Sequence, residues 1–204
     1  MEKQKLLVAT NNKDKFKEIT AILDSLNVEF VSLGNIDLPE EDGKTIEENA
    51  IKKSEFGFEI KKMLTIADDT GLEVDALNGA PGVYSSRFAG ENVSYEDNRK
   101  KLLNELTGKK LEERKAKFRC IIAVSGLEKE TKTFEGTVDG YITEDERGNS
   151  GFGYDAIFFV PEIGKTMAEM SSEEKNKISH RGRAIVKAKK YLENYPALAG
   201  QVGC

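Results

Sequence analysis

The feature that most constrains the fold lies at the start of the chain. Residues 5–10 (KLLVAT) form a short apolar run suited to a buried strand. After a polar junction, Phe16, Ile19, Leu23 and Leu26 recur at helical spacing with polar residues between them. A strand handing over to an amphipathic helix opens an α/β arrangement, and a second strand is expected at 28–33 (VEFVS and Leu33). An acidic loop, Ile36 to Gly43, comes next. Thr45 and Glu48 have capping-box spacing for a helix running to about residue 62.

Further along, residues 64–67 (LTIA) read as a strand ending at Asp68-Asp69-Thr70-Gly71, and Gly79-Ala80-Pro81-Gly82 reads as a turn. Ser94 and Asp97 can cap a helix carrying Leu102, Leu103 and Leu106. Strands are expected at 118–125, 131–142 and 157–160, the last two separated by a glycine-rich stretch at Gly148, Gly151 and Gly153. Ser171 with Glu174 caps a final helical region that places Ile178, Ile185, Leu192 and Tyr195 on one face, with Pro196 as its stop. Strands and helices alternate early and strands cluster in the middle, so an α/β or α+β domain with a mixed sheet is expected. The 204 residues suffice for one domain, or one domain built as two lobes, over 1–196. Residues 197–204 read as a loose tail.

Charge and cysteine usage narrow the function. The net charge of −5 argues against broad binding to a nucleic-acid backbone, which favours a basic face, yet leaves room for a local basic pocket. Cys120 and Cys204 have neither disulfide-framework nor zinc-ligand spacing, which fits a reduced, cytoplasmic setting. No apolar stretch approaches the ~18 residues of a membrane span, and the N-terminus has too short an apolar run for a signal peptide.

Five segments could carry chemistry. Asp68-Asp69 places two carboxylates after an apolar strand; on an extended strand they point to opposite faces, while at a strand end one reaches a metal or water and the other supports the loop. Glu40-Glu41-Asp42 offers the oxygen ligands that Mg²⁺ requires. The turn Thr10-Asn11-Asn12-Lys13-Asp14-Lys15 offers backbone amides, a hydroxyl and two lysines to a polyphosphate, without the P-loop pattern. Gly151-Phe152-Gly153-Tyr154-Asp155 can make a tight loop with a stacking face and a polar edge for a base. Lys175 and the Ser179-His180-Arg181 run offer donors to phosphate or to an oxo group. His180, the sole histidine, sits in a polar segment and so reads as a group outside the packed core. Taken singly, Asp68-Asp69 is equally compatible with a solvated acidic turn, while the acidic run favours a solvated loop, the Thr10–Lys15 turn a capped helix start, the glycine-rich segment a hairpin with core aromatics, and the His180-Arg181 pair is commonly an inert helix surface.

Together, and in this order, they resemble the inosine/xanthosine triphosphate pyrophosphatase family. The resemblance is carried by ATNNKDKFKEI (9–19), TIEENAIKKS (45–54), ADDTGLEVDALNGAPGVYSSRF (67–88), GFGYDAIFFVP (151–161) and EEKNKISHRGRA (173–184), and it spans about residues 5–192. It implies a long mixed sheet with flanking helices, two lobes around a central substrate cleft, and a homodimer. It also implies Mg²⁺-dependent cleavage of ITP, dITP and XTP to the monophosphate and pyrophosphate, clearing them from the nucleotide pool. By the same resemblance, Thr10, Asn12 and Lys15 belong to the phosphate-binding turn, in which Asn11 replaces the glycine of some members. Glu40, with Glu41 adjacent, matches the metal-binding acid, and Lys53 is directed at the phosphates. Asp69 is metal ligand and proton acceptor, and Thr70 stands where a serine is usual. Phe152, Gly153, Tyr154 and Asp155 form the base-binding loop, and Lys175, His180 and Arg181 are the remaining substrate contacts.

Overall fold

The computed structural model describes residues 3–196, 198 and 199. The opening run forms β1 (Gln4–Val8), which is paired in parallel with β2 (Val28–Ser32) on one side and β3 (Thr65–Val74) on the other. Parallel neighbours need crossover connections, and α1 (Lys13–Leu23) and α2 (Ile46–Lys61) provide them. A strand covered on both faces must be apolar on both. Accordingly, Leu6 and Val8 enter a core with Ile19 and Leu23 of α1, whereas Leu7 and Ala9 point the other way, toward Leu33 and Ala67. On that second face α2 comes very close to the sheet. A Cβ built on Gly57 would lie 2.8 Å from Thr65 Cγ2 and 3.1 Å from Leu7 Cδ2.

The chain continues through β4 (Pro81–Gly82), α3 (Tyr95–Glu105), β5 (Lys115–Ser125), β6 (Lys132–Ile142), β7 (Phe158–Val160), β8 (Lys165–Thr166), α4 (Ser172–Ile178) and α5 (His180–Leu192). The strand order is β2-β1-β3-β5-β6-β7-β8, with β4 paired to β3. Antiparallel pairing of β3 with β4, β6 with β7 and β7 with β8 makes the sheet mixed, as expected. The chain divides into two compact units. One comprises the chain up to Asp69, Cys120–Gly136 and the chain from Arg181; the other comprises Thr70–Arg119 and Thr137–His180. Each has its own core. In the first, Leu6, Ile19, Ile66, Ile122 and Ile185 pack together; in the second, Leu72, Leu102, Phe118, Ile142 and Phe158 do.

Local signals hold where they are local. Ser94 and Asp97 form a complete capping box at α3, and Ser171 and Glu174 do so at α4. At α2 the box is half realised: Thr45 Oγ1 accepts from Glu48 N, but the Glu48 carboxylate accepts from Lys44 N, not from Thr45.

Three expectations are corrected. β3 does not end at the acid pair but runs through it to Val74. The last helical region is not continuous: Ser179 is extended (φ −67°, ψ 158°), so Ile178 joins the second unit's core while Ile185 and Leu192 join the first's. The tail is not loose at Leu198. That side chain is 2% exposed in the core, and its carbonyl accepts from Asn27 N at 3.0 Å. Residue 197 and residues 200–204, Cys204 among them, lie outside the described residues.

Candidate active site

Successive residues of a strand alternate in facing, and β3 turns this rule into chemistry. Ile66 belongs to the core shared with α1 and α5, and Ala67 to the opposite one beneath α2. Asp68 and Asp69 continue the alternation, so two adjacent carboxylates meet two different sets of cations.

Asp68 faces α1 and α5. Its Oδ2 lies 3.1 Å from Lys15 Nζ and 3.2 Å from Arg181 Nε, and Arg181 Nη1 donates to Glu18 Oε2 at 2.5 Å. The result is a chain Lys15–Asp68–Arg181–Glu18, with Asp68 and Arg181 almost wholly buried. Burial alone would raise the Asp68 pKa. Lys15, Arg181 and Lys53 outweigh it and hold the carboxyl well below the usual carboxylate range. Burial likewise works against the Arg181 charge, and Asp68 and Glu18 overcome it.

Asp69 faces α2. Its Oδ1 lies 3.1 Å from Lys53 Nζ, and its Oδ2 accepts from Asn49 Nδ2 at 3.2 Å. The same Lys53 ammonium donates to Glu41 Oε1 at 2.6 Å, so one cation is shared by two carboxylates. Burial would lower the Lys53 pKa, but Asp69, Glu41 and Asp68 together raise it above the ordinary lysine value. The two acids diverge. Asp69 is pushed up, chiefly by burial and further by Glu41, against the pull of Lys53 and Lys15. Glu41 resists its own burial through Lys53 and is held below its usual value.

The Thr10–Lys15 turn joins β1 to α1. Asn12 is the helix N-cap, and its Oδ1 accepts from Asp14 N and Lys15 N, so two of the amides expected to face an anion are capped within the turn. Asn12 N donates to Thr10 Oγ1 at 3.2 Å, and Asn11, Lys13 and Asp14 are exposed. A cavity of about 740 Å³ opens beside this turn, lined by Thr10–Lys13, Phe16, Lys17 and residues 32–37.

In the second unit, the 151–155 loop wraps around one carboxylate. Asp155 Oδ2 accepts from Phe152 N at 2.8 Å and from Lys175 Nζ at 2.6 Å. Gly151 has φ 75°, and a Cβ there would collide with Asp155 Oδ2, so glycine is required on both counts. Arg99 Nη1 donates to Gly153 O. Phe152 is half-buried, with Lys175 Nζ 4.8 Å from its ring centroid and Tyr95 tilted against it at 5.9 Å. Tyr154 of the same loop is buried in the second unit's core, and its hydroxyl donates to Ser85 O. The expectation that His180 lies outside the packed core is corrected. It is 3% exposed and its ring stacks on Phe118 at 4.4 Å, because the first residue of α5 turns inward although its sequence neighbours are polar.

The sequence profile of the Ham1 family matches residues 6–191. The chain belongs to the Ham1 family. A relative from Geobacter sulfurreducens, named dITP/XTP pyrophosphatase, is 52% identical over 191 residues, covering 92% of this chain and 96% of that protein. The solved Ham1 protein of Staphylococcus aureus superposes with a TM-score of 0.83 at 45% identity, covering 94% of this chain and 99% of that one. A HAM1 protein from Coxiella burnetii gives a TM-score of 0.85 at 36% identity, with the same coverages of 94% and 99%.

Within this Ham1 chain, the structure brings together Lys15, Lys53, Asp69 and Arg181 of the expected residues around the acid pair of β3, and Phe152, Asp155 and Lys175 around the loop of the second unit. Thr70 follows Asp69 on β3 and is half-buried. Glu40 stands apart: it is exposed, and its backbone carbonyl accepts from Lys52 Nζ. The acid beside Lys53 is Glu41. Sequence reasoning passed over Asn49, Glu18 and Phe118. Asn49 sits in the matched TIEENAIKKS segment, four residues before Lys53, and i,i+4 spacing on a helix was the available signal.

Proposed function

We propose that this chain hydrolyses dITP, ITP and XTP to the nucleoside monophosphate and pyrophosphate, keeping these nucleotides out of DNA and RNA. The observation that carries the reading is the Lys53 ammonium shared between Glu41 and Asp69, 2.6 and 3.1 Å away. Two carboxylates held on one ammonium leave a net negative oxygen site, which suits a divalent cation accompanying a polyphosphate. Membership of a family with relatives named dITP/XTP pyrophosphatase supports the substrate class.

Water attacks the α-phosphorus, the bond to the bridging α–β oxygen breaks, and pyrophosphate departs with that oxygen. Asp69 takes the water's proton on a carboxylate oxygen. Lys53 and Lys15 bind the phosphates and meet the charge that develops on them. Asp68, Arg181 and Glu18 hold Lys15 in place.

Two acidic oxygen donors on one lysine are a set that Mg²⁺ can use, because it commonly takes one or two carboxylates plus substrate phosphates. Among the described residues no cluster of three or more acids, histidines or cysteines could hold a metal by itself. Glu41 and Asp69 are the two we assign to it, Glu41 replacing the Glu40 expected from the sequence. Bound there, the ion supplies charge neutralisation at the departing pyrophosphate. In the second unit, Phe152 is the ring assigned to stack on the purine, and Asp155 and Lys175 fix its loop. His180 and Arg181 are assigned to the 6-oxo edge of the base, and Phe118 stacks on one face of the His180 ring.

The homodimer and the cytoplasmic setting belong to the same proposal. No described helix is long and apolar enough to cross a membrane. Light scattering on the purified chain tests the dimer. The activity test incubates the protein with dITP, ITP, XTP, GTP and ATP, with Mg²⁺ or EDTA, and quantifies pyrophosphate and orthophosphate separately. Fast pyrophosphate release from the first three, abolished by EDTA, is the expected result. Orthophosphate as product, or equal rates on GTP and ATP, rejects the proposal.

A further inference from the structure

Asn49 is 1% exposed and lies in the first turns of α2. Its carboxamide makes two bonds of opposite polarity. Oδ1 accepts from Gly43 N at 2.8 Å, and Nδ2 donates to Asp69 Oδ2 at 3.2 Å. Only one orientation of the amide satisfies both partners: an N–H must meet the oxygen and a carboxylate must meet the NH₂ group. The contact on the loop side is tight. A Cβ on Gly43 would lie 2.5 Å from Asn49 Oδ1 and 2.9 Å from Glu48 Cβ, so the loop closes on Asn49 only because this position is glycine. That loop carries Glu41, whose carboxylate shares Lys53 with Asp69. One uncharged side chain therefore orients Asp69 directly and, through Gly43, anchors the segment that delivers the second carboxylate.

We propose that Asn49 is a positioning residue for the hydrolysis, setting the separation and orientation of Asp69 and Glu41 from a single carboxamide. The inference rests on the functional reading given above. Asn49 touches neither water nor phosphate in this scheme; it acts through the two acids. Its role differs from that of an ordinary helix fastener, because α2 has a separate N-cap: Thr45 Oγ1 accepts from Glu48 N at 3.1 Å.

The test compares three variants of the full chain at a temperature well below the lowest melting point among them. Asn49→Ala removes both bonds. Gly43→Ala leaves every acid and lysine in place but crowds the Asn49 amide. Thr45→Ala removes the helix cap and touches neither Asn49 bond. A hydrogen bond to a charged group contributes about 1.5–3 kcal/mol, so kcat on dITP should fall about ten- to a hundredfold in Asn49→Ala. KM should stay within roughly threefold, because Lys15 and Lys53 are intact. Gly43→Ala should reproduce that pattern more weakly, and Thr45→Ala should lower the melting temperature with kcat unchanged. Mn²⁺ affinity without nucleotide, read by electron paramagnetic resonance, should weaken in the first two variants and not in the third. Unchanged kcat in Asn49→Ala, or an equal loss in Thr45→Ala, overturns the proposal. A wild-type chain that releases no pyrophosphate from any substrate rejects the functional reading instead, and the Mn²⁺ comparison then decides the positioning role alone.

Discussion

Replacing Arg181 by methionine probes the buried charge chain from its centre. The substitution removes the guanidinium and roughly keeps the side-chain volume. Asp68, with a side-chain exposure of 0%, keeps Lys15, while Glu18, 15% exposed, loses the Arg181 contact and can turn to water. Breaking a buried ion pair by deleting one member costs about 3–5 kcal/mol. The surviving Lys15 contact places this case near the lower figure. For a chain of this size each kcal/mol moves the melting temperature by about 2–4 °C, so about 3 kcal/mol predicts a fall of ~6–12 °C at pH 7. Thermal unfolding followed by circular dichroism measures it. The pH dependence sharpens the test. In the wild type the Asp68 pKa is depressed on folding, so its contribution is present above the unfolded value and is lost only as pH falls through the lower folded one. Without Arg181, burial is opposed mainly by Lys15 and the folded pKa rises. Acidification then neutralises the stranded carboxylate, and the gap between wild type and variant should narrow from pH 7 toward pH 4. The double variant Asp68→Asn/Arg181→Met should lose less than the sum of the two single changes. A gap that is constant with pH, together with additive losses, would refute the account of Asp68 as a buried anion sustained by Arg181.

Glu41→Gln should abolish most pyrophosphate release while Glu40→Gln stays within about twofold in the same assay, since only Glu41 meets Lys53. Gly57→Ala drives a methyl into Thr65 and Leu7, and overpacking of about 1–3 kcal/mol should lower the melting temperature by ~2–12 °C with little change in KM. Lys175→Met removes the cation from Asp155, both side chains being 6% exposed, and loosens the 151–155 loop. The expected outcome is a raised KM for dITP together with faster amide exchange at Phe152; an unchanged KM would count against a substrate role for that loop.

How much of this was legible in the sequence depends on how local the cause is. β1, α1 and the Ser94–Asp97 box were readable because periodicity and capping act within a few residues. β3 was expected to end in the Asp68–Gly71 segment, where the pattern turns polar. It continues because its carboxylates are compensated from far away, Arg181 lying 113 positions from Asp68. The choice between Glu40 and Glu41 turns on how the loop is tied down at Gly43, and adjacent identical residues carry no local sign of that. His180 was misplaced for a related reason. Its polar neighbours argue for exposure by composition, yet Ser179 and Arg181 are themselves buried, and His180 stacks on Phe118 of β5.

The alternation along β3 makes chain length there matter more than residue identity. A substitution at Thr65 or Leu72 disturbs one packing site. Inserting or deleting one residue between Ala67 and Asp69 would swap the faces of everything beyond it. The carboxylate meant for Lys53 and Asn49 would turn toward Lys15 and Arg181, and the other set of cations would be left facing whatever replaced it. β3 thus works as a ruler ticked in single residues, and a one-residue length change within it should silence the chain even where every charged side chain survives.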